Sequence, residues 1–339
     1  MGAVAGQEMS TAEIDVGTPP GGAGARAHAR RHHFSWGDPL FRWFTIACAA
    51  AVALAMFLLI GVLVKNSWLA IHTLGIKPLT HVDWAPDLNK YGALSSLFGT
   101  FVTTVIAMIV AVPLALAIAM LLVELVHPAV SRVVGTTIEM LAAVPSIIFG
   151  MWGIWIIGPL MGNHVEPWIQ STWLGRLPIF SGTPYGSDIL TAGLVLSLMI
   201  LPFITAVARD VLRMVPKVTK EAGYGMGSTT WEVTRKISMR YALSGIAGAV
   251  FLGLGRALGE TMAVAMIIGG GFSGIPHSLF SQGTTVSATI ALNFQEASSK
   301  LETSSLIELA LILFAITMVF QAAAQLWLAR ARRMSGSRA

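Results

Sequence analysis

The chain has 339 residues, 55% of them hydrophobic and 12% charged, with a formal net charge of +5, and its mean hydropathy is +0.71. That balance excludes an ordinary water-soluble enzyme, and apolar runs of helical spanning length without alternation exclude a transmembrane barrel. Basic residues that flank apolar runs instead of forming a stripe exclude a nucleic-acid-binding surface, and the single cysteine, Cys48, excludes an intrachain disulfide or a thiolate metal cluster.

Residues 1–36 are rich in Gly, Ala, Pro, Thr and His without helical period, so a disordered cytoplasmic tail is expected, with no secretory-type apolar core. A first span is expected over 41–64, followed by an interfacial segment with Trp68, Trp84 and Pro86. A second covers 94–126, longer than the hydrocarbon core requires and expected to bend at Pro113. After a link holding Arg132, a third span is expected over 138–160, interrupted at Pro145. Residues 161–188 read as an exposed loop anchored by Trp168 and Trp173. A fourth span follows over 189–208, then a polar basic segment, then a fifth span over 243–268. The Gly-, Ser- and Thr-rich stretch 269–305 fits either an outer loop or a re-entrant element, and a sixth span over 306–328 ends in Arg330, Arg332 and Arg333.

The expected fold class is therefore all-α, a polytopic membrane protein of about six transmembrane helices. Its spanning domain covers 37–333, with a short tail over 334–339. Lys and Arg concentrate before the first span and after the second, fourth and sixth, which places both termini in the cytoplasm and 209–241 inside. The exception is the first outer loop, where Lys65, Lys77 and Lys90 are partly offset by Asp83 and Asp87. None of the eight histidines has metal-ligand spacing beside acidic neighbours.

The segment from about 217 to 241 reads EAGYGMGSTTWEVTRKISMRY from Glu221 onward and carries helical signals of its own. Thr219 is a candidate N-cap, Glu221 suits the positive end of a helix dipole, and Gly225 and Gly227 permit a sharp turn. Trp231, Val233 or Thr234, Ile237 and Tyr241 then recur at helical spacing. By composition alone it is a solvated or membrane-surface loop; by its pattern it is a short helix, a turn and a second amphipathic helix suited to docking.

This segment resembles the EAA motif of ABC importer permeases, with Glu221, Ala222, Gly227 and Ile237 in the motif's places. Gly223 stands where the family has a second Ala, and Met239-Arg240 where it has Leu-Pro. The resemblance implies a type I importer permease of MetI-like fold, with Glu221, Ala222, Gly223, Gly227 and Ile237 contacting a separate ATPase. Consistent with a borrowed motor, the chain lacks a G-x-x-x-x-G-K-[ST] phosphate loop.

In the fifth span Arg256 and Glu260 are four positions apart in otherwise apolar sequence. A charge at mid-bilayer costs at least about 2.5–3.5 kcal/mol, so both are expected to face a bundle or a wet cavity. They read either as a mutually neutralising pair or as an oxyanion site, in which the fork of Arg256 binds a tetrahedral anion and Glu260 orients it. Gly255 and Gly259 form a G-x-x-x-G pair, suited to internal packing or to a subunit interface.

GLGRALGETMAVAMIIGG together with AAVPSIIFGMWG resembles the PstC-type permeases of phosphate ABC importers, over roughly 40–330. The resemblance implies inorganic phosphate as solute, Arg256 and Glu260 as path residues, and a bacterial inner-membrane location. It also implies a PstA-type second permease, a PstB-type ATPase dimer that holds the ATP and Mg2+, and an extracytoplasmic PstS-type phosphate-binding protein, with no cofactor on this chain. Rival readings are a permease for another oxyanion such as sulfate or molybdate, a proton-coupled secondary transporter using Glu260, and a non-transporting scaffold for an ATPase.

Overall fold

The computed structural model describes residues 37–270 and 274–336; the expected tail over 1–36 lies outside the described residues. Among the described residues, six helices are long and apolar enough to cross a membrane. The first, α1 (Gly37–Leu74), is far longer than expected. Up to Met56 it belongs to a unit of its own, exposed along its length; the fold below concerns the unit from Phe57 onward.

Helices α2 (Leu94–Leu125) and α5 (Ile189–Arg213) form the centre of that unit, and α5 is the most enclosed of the six spans. Their close approach follows from small residues every fourth position on α2: Gly99, Thr103, Ala107, Ala111, Ala115 and Ala119 are all buried. Without a hydrophobic drive between helices in lipid, such a face supplies van der Waals contact. From the other side, a Cβ on Gly193 of α5 would come within 2.7 Å of Ile106. Helix α2 continues unbroken past Pro113 and widens into i→i+5 turns at Leu121–Leu125.

The third span is interrupted at Pro145, as expected, but its bounds differ from the expectation. Residues 138–160 straddle two helices, α3 (Pro128–Ala142) and α4 (Ser146–Ser171), separated at Ala143–Pro145. Pro145 has no N–H to continue α3, and its ring restricts the residue before it, so the apolar run is cut there. The expected loop over 161–188 is helical as far as Ser171 because wide turns at Gly153–Ile157 and Met161–Val165 absorb Pro159 and carry the backbone on. Trp168 and Trp173 are exposed. Pro202 sits within an unbroken α5.

Beyond α5 lie α6 (Lys217–Gly225) and α7 (Thr230–Leu258). The expected fifth span ends early: α7 stops at Leu258, and α8 (Met262–Ile267) begins after a break. The stretch 269–305 holds α9 (Val286–Asn293), whose first turn is buried against α2 and the last helix, α10 (Lys300–Gly336). Hydroxyls fix it there: Thr100 Oγ1 accepts the Val286 N–H at 3.0 Å, and Ser96 and Thr289 hydroxyls lie 2.9 Å apart. A segment inserted this way is not an exposed loop.

Candidate functional site

Two neighbourhoods carry the sequence-predicted residues. In the first, α6 ends as a Schellman motif: Gly227 adopts φ +83°, its N–H donates to Tyr224 O at 2.9 Å, and the Ser228 N–H donates to Gly223 O at 3.2 Å. Thr229 and Glu232 then form a capping box that starts α7. Thr219, expected to cap, lies inside α6, whose N-cap is Pro216.

The turn folds the two helices together. Gly223 is buried, and a Cβ there would overlap Ile237 Cδ1 and lie 3.2 Å from Val233 Cγ2. Glycine at that place thus permits α6 to rest on the start of α7. Glu221, Ala222 and Gly227 are exposed, as are the apolar side chains of Met214, Val218, Tyr224, Met226 and Trp231. A hairpin of helices that exposes apolar side chains among basic ones is suited to seating in a protein cleft.

In the second neighbourhood Arg256 occupies the last turn of α7, where the helix dipole favours a cation. Its guanidinium carbon stands 5.6 Å from the ring centroid of Phe203 on α5. Glu260 lies in the break, and its Oε1 accepts the Ala263 N–H at 3.3 Å at the start of α8. Among the described residues no carboxylate comes within 4.0 Å of Arg256. The mutually neutralising pair is therefore not formed: the break at Gly259 removes the helical i, i+4 geometry that pairing required. Gly255 packs internally, since a Cβ there would overlap Gln321 of α10, and Gln321 Nε2 donates to Phe251 O at 3.2 Å.

The structure adds charged groups that sequence reading treated only as topology signals or passed over. Arg209 is 4% exposed and donates from Nη2 to Glu139 of α3 and, at 3.1 Å, to Asp210. Arg213, one turn on, reaches Ser131 Oγ at 3.4 Å, and Lys220 of α6 pairs with Glu124 of α2 at 2.7 Å. At the other end of α5, Asp188 caps the helix by accepting the Thr191 N–H at 2.8 Å, next to fully buried Glu166. Burial pushes the Asp188 carboxyl above the usual carboxylate range, against the lowering effect of the Thr191 amide. Glu308, in the third turn of α10, is also buried. An acidic residue inside an expected span was the signal that could have found it.

Residues 94–333 match the family described as binding-protein-dependent transport system inner membrane component. The phosphate transport system permease protein PstC of Pasteurella multocida (strain Pm70) is 46% identical over 316 residues, covering 92% of this chain and 97% of that one. Its counterpart from Mesorhizobium japonicum is 45% identical over 311 residues, covering 90% and 94%. PstC 1 of Mycobacterium tuberculosis is 34% identical over 320 residues, covering 88% and 94%. Among solved structures, a bacterial ABC transporter involved in the import of the acidic polysaccharide alginate aligns at TM-score 0.56 and 14% identity, covering 86% of this chain and 98% of that chain. That last likeness is one of fold.

Proposed function

The chain belongs to the binding-protein-dependent transport system inner membrane components, and within them to the PstC-type phosphate permeases; from that premise we propose how its residues move phosphate. It is the membrane-embedded permease subunit of a phosphate ABC importer, a multi-pass inner-membrane protein and a transport component, with the all-α MetI-like permease fold.

Both termini and the α6–α7 hairpin face the cytoplasm, where a PstB-type ATPase dimer binds and hydrolyses ATP with Mg2+. A PstA-type permease completes the path, a PstS-type protein delivers phosphate from outside, and this chain itself holds no cofactor. Glu221, Ala222, Gly223, Gly227 and Ile237 form the ATPase contact, with Gly223 and Ile237 holding its two helices together and Glu221 and Ala222 on its exposed face.

The observation that supports the path assignment is a guanidinium in a membrane span, stacked on Phe203 and unpaired by any carboxylate among the described residues. Such a group meets a tetrahedral oxyanion with its planar fork available. Glu260, tied to the backbone of α8, adds negative charge nearby and keeps binding weak enough for release. Alternating access then follows: ATP-driven closure moves the α6–α7 hairpin, and the spans carrying Arg256 open toward the outside.

The test is uptake of labelled phosphate by proteoliposomes holding the full importer. The reading expects uptake that requires ATP, is unaffected by collapsing the proton gradient, and is not displaced by excess sulfate or molybdate. Uptake that follows the proton gradient and ignores ATP would overturn it.

A further inference from the structure

We propose that Arg209 is a positioning residue that carries movement of the ATPase-contacting hairpin to the solute path by way of α3. The inference rests on the functional reading above and assigns the transmission within it.

Only Met214–Pro216 separates α5 from α6, so a push on α6 arrives first at the last turns of α5. Those turns grip α3 through a built contact. Arg209 stays charged at any working pH, and a cation that is 4% exposed persists only when paired. Its partners are Asp210 beside it on α5, at 3.1 Å, and Glu139, the one of the two that ties it across the seam to α3. One turn earlier on the same face of α3, Gly135 leaves the space the guanidinium occupies, since a Cβ there would overlap Arg209 Nη1. A further turn back, Ser131 meets Arg213. Ser131, Gly135 and Glu139 thus form one stripe on α3, facing Arg213 and Arg209 on one stripe of α5. Orientation asks for basic residues near this end of α5, but not for one that is buried and paired across the seam, where apolar contact would serve.

What lies beyond the seam gives the charge a use. Helix α3 ends at Ala142, and the break at Pro145 separates it from α4. At the start of α4, Gly150 lies against α8: a Cβ would come 2.9 Å from Met266 Sδ and 3.0 Å from Ala263 Cα. Helix α8 in turn opens on Glu260, whose carboxylate holds the Ala263 N–H. A contiguous line of packed elements therefore runs from the hairpin through Arg209 and Glu139 to the break beside Arg256. The line crosses from α3 to α4 along the chain at Pro145, where the two are separate helices joined by three residues.

The experiment reconstitutes the importer, with this chain, its partner permease, the ATPase and the phosphate-binding protein, in proteoliposomes. Phosphate imported and ATP hydrolysed are measured per assembled complex for the wild type, Glu139→Gln and Gly135→Ala. Gly135→Ala keeps every charge and meets only the far end of a flexible side chain, so it displaces the guanidinium while leaving α3 intact. Both variants are expected to assemble and hydrolyse ATP as the wild type does, while importing at least about fivefold less phosphate per ATP. A wild-type ratio in either variant, or a parallel loss of assembly, hydrolysis and uptake, overturns the proposal and leaves a structural clamp. A wild-type complex that imports phosphate without ATP overturns the functional reading and this inference with it.

Discussion

At Arg256 the chemistry asks for shape as well as charge. Arg256→Lys keeps the cation on Phe203 but loses the planar fork, and Arg256→Gln loses both. Labelled phosphate uptake is expected to fall about tenfold or more in the first variant, roughly 1.4 kcal/mol of lost binding in transit, and to vanish in the second. Immunoblots should show unchanged membrane levels of every subunit. Normal uptake by Arg256→Gln would remove Arg256 from the path. Arg256 and Glu260 were legible in the sequence because charge inside a span is costly wherever it falls. Their relation was not, because spacing of four implies a shared face only on an unbroken helix, and the helix ends at Leu258. Arg209 and Glu139 lie 70 positions apart, so their pairing exists only in the folded bundle.

Among elements, the hairpin of α6 and α7 was the most legible because its signals are local. Glycines and helical apolar spacing act over a few residues each, whereas the expected cap at Thr219 is wrong and the Thr229–Glu232 capping box, equally local, comes from the structure. Gly227→Ala forces a Cβ into φ +83° and is expected to destabilise the turn by roughly 1–2 kcal/mol, read as a lower Tm of the purified complex, with Gly227→Asn milder. Gly223→Leu would drive the two helices apart at Ile237, so ATPase co-purification should drop sharply while membrane insertion persists. Retained co-purification would show that the hairpin's internal packing is irrelevant to docking. At the opposite end of α5, Asp188→Ala removes an N-cap and is expected to cost about 1 kcal/mol in thermal unfolding. Less legible were boundaries where proline interrupts an apolar run. The interruption at Pro145 is legible from the proline itself, but hydropathy alone does not say that the spanning helix begins after it and runs on to Ser171. The stretch 269–305 is open to two readings in the sequence because the placement of α9 depends on Thr100, Ser96 and Thr289 meeting across sequence-distant helices.

For the molecule as a whole, the count of spans and the fold class followed from hydropathy and basic flanks, and the central α2–α5 contact is written into α2 as small residues every fourth position. What the sequence could not place were the connections that make the spans act together, since these are long-range contacts of single side chains. On the proposed function, an ATP-driven partner works this permease through the α6–α7 hairpin. That coupling is tested most directly by measuring labelled phosphate uptake in cells carrying the full importer with wild-type chain or Glu221→Lys, together with membrane levels and ATPase co-purification. Glu221→Lys, a charge reversal on the exposed face of α6, is expected to abolish uptake and release the ATPase while the permease remains in the membrane. Unchanged uptake with the ATPase still bound would contradict it.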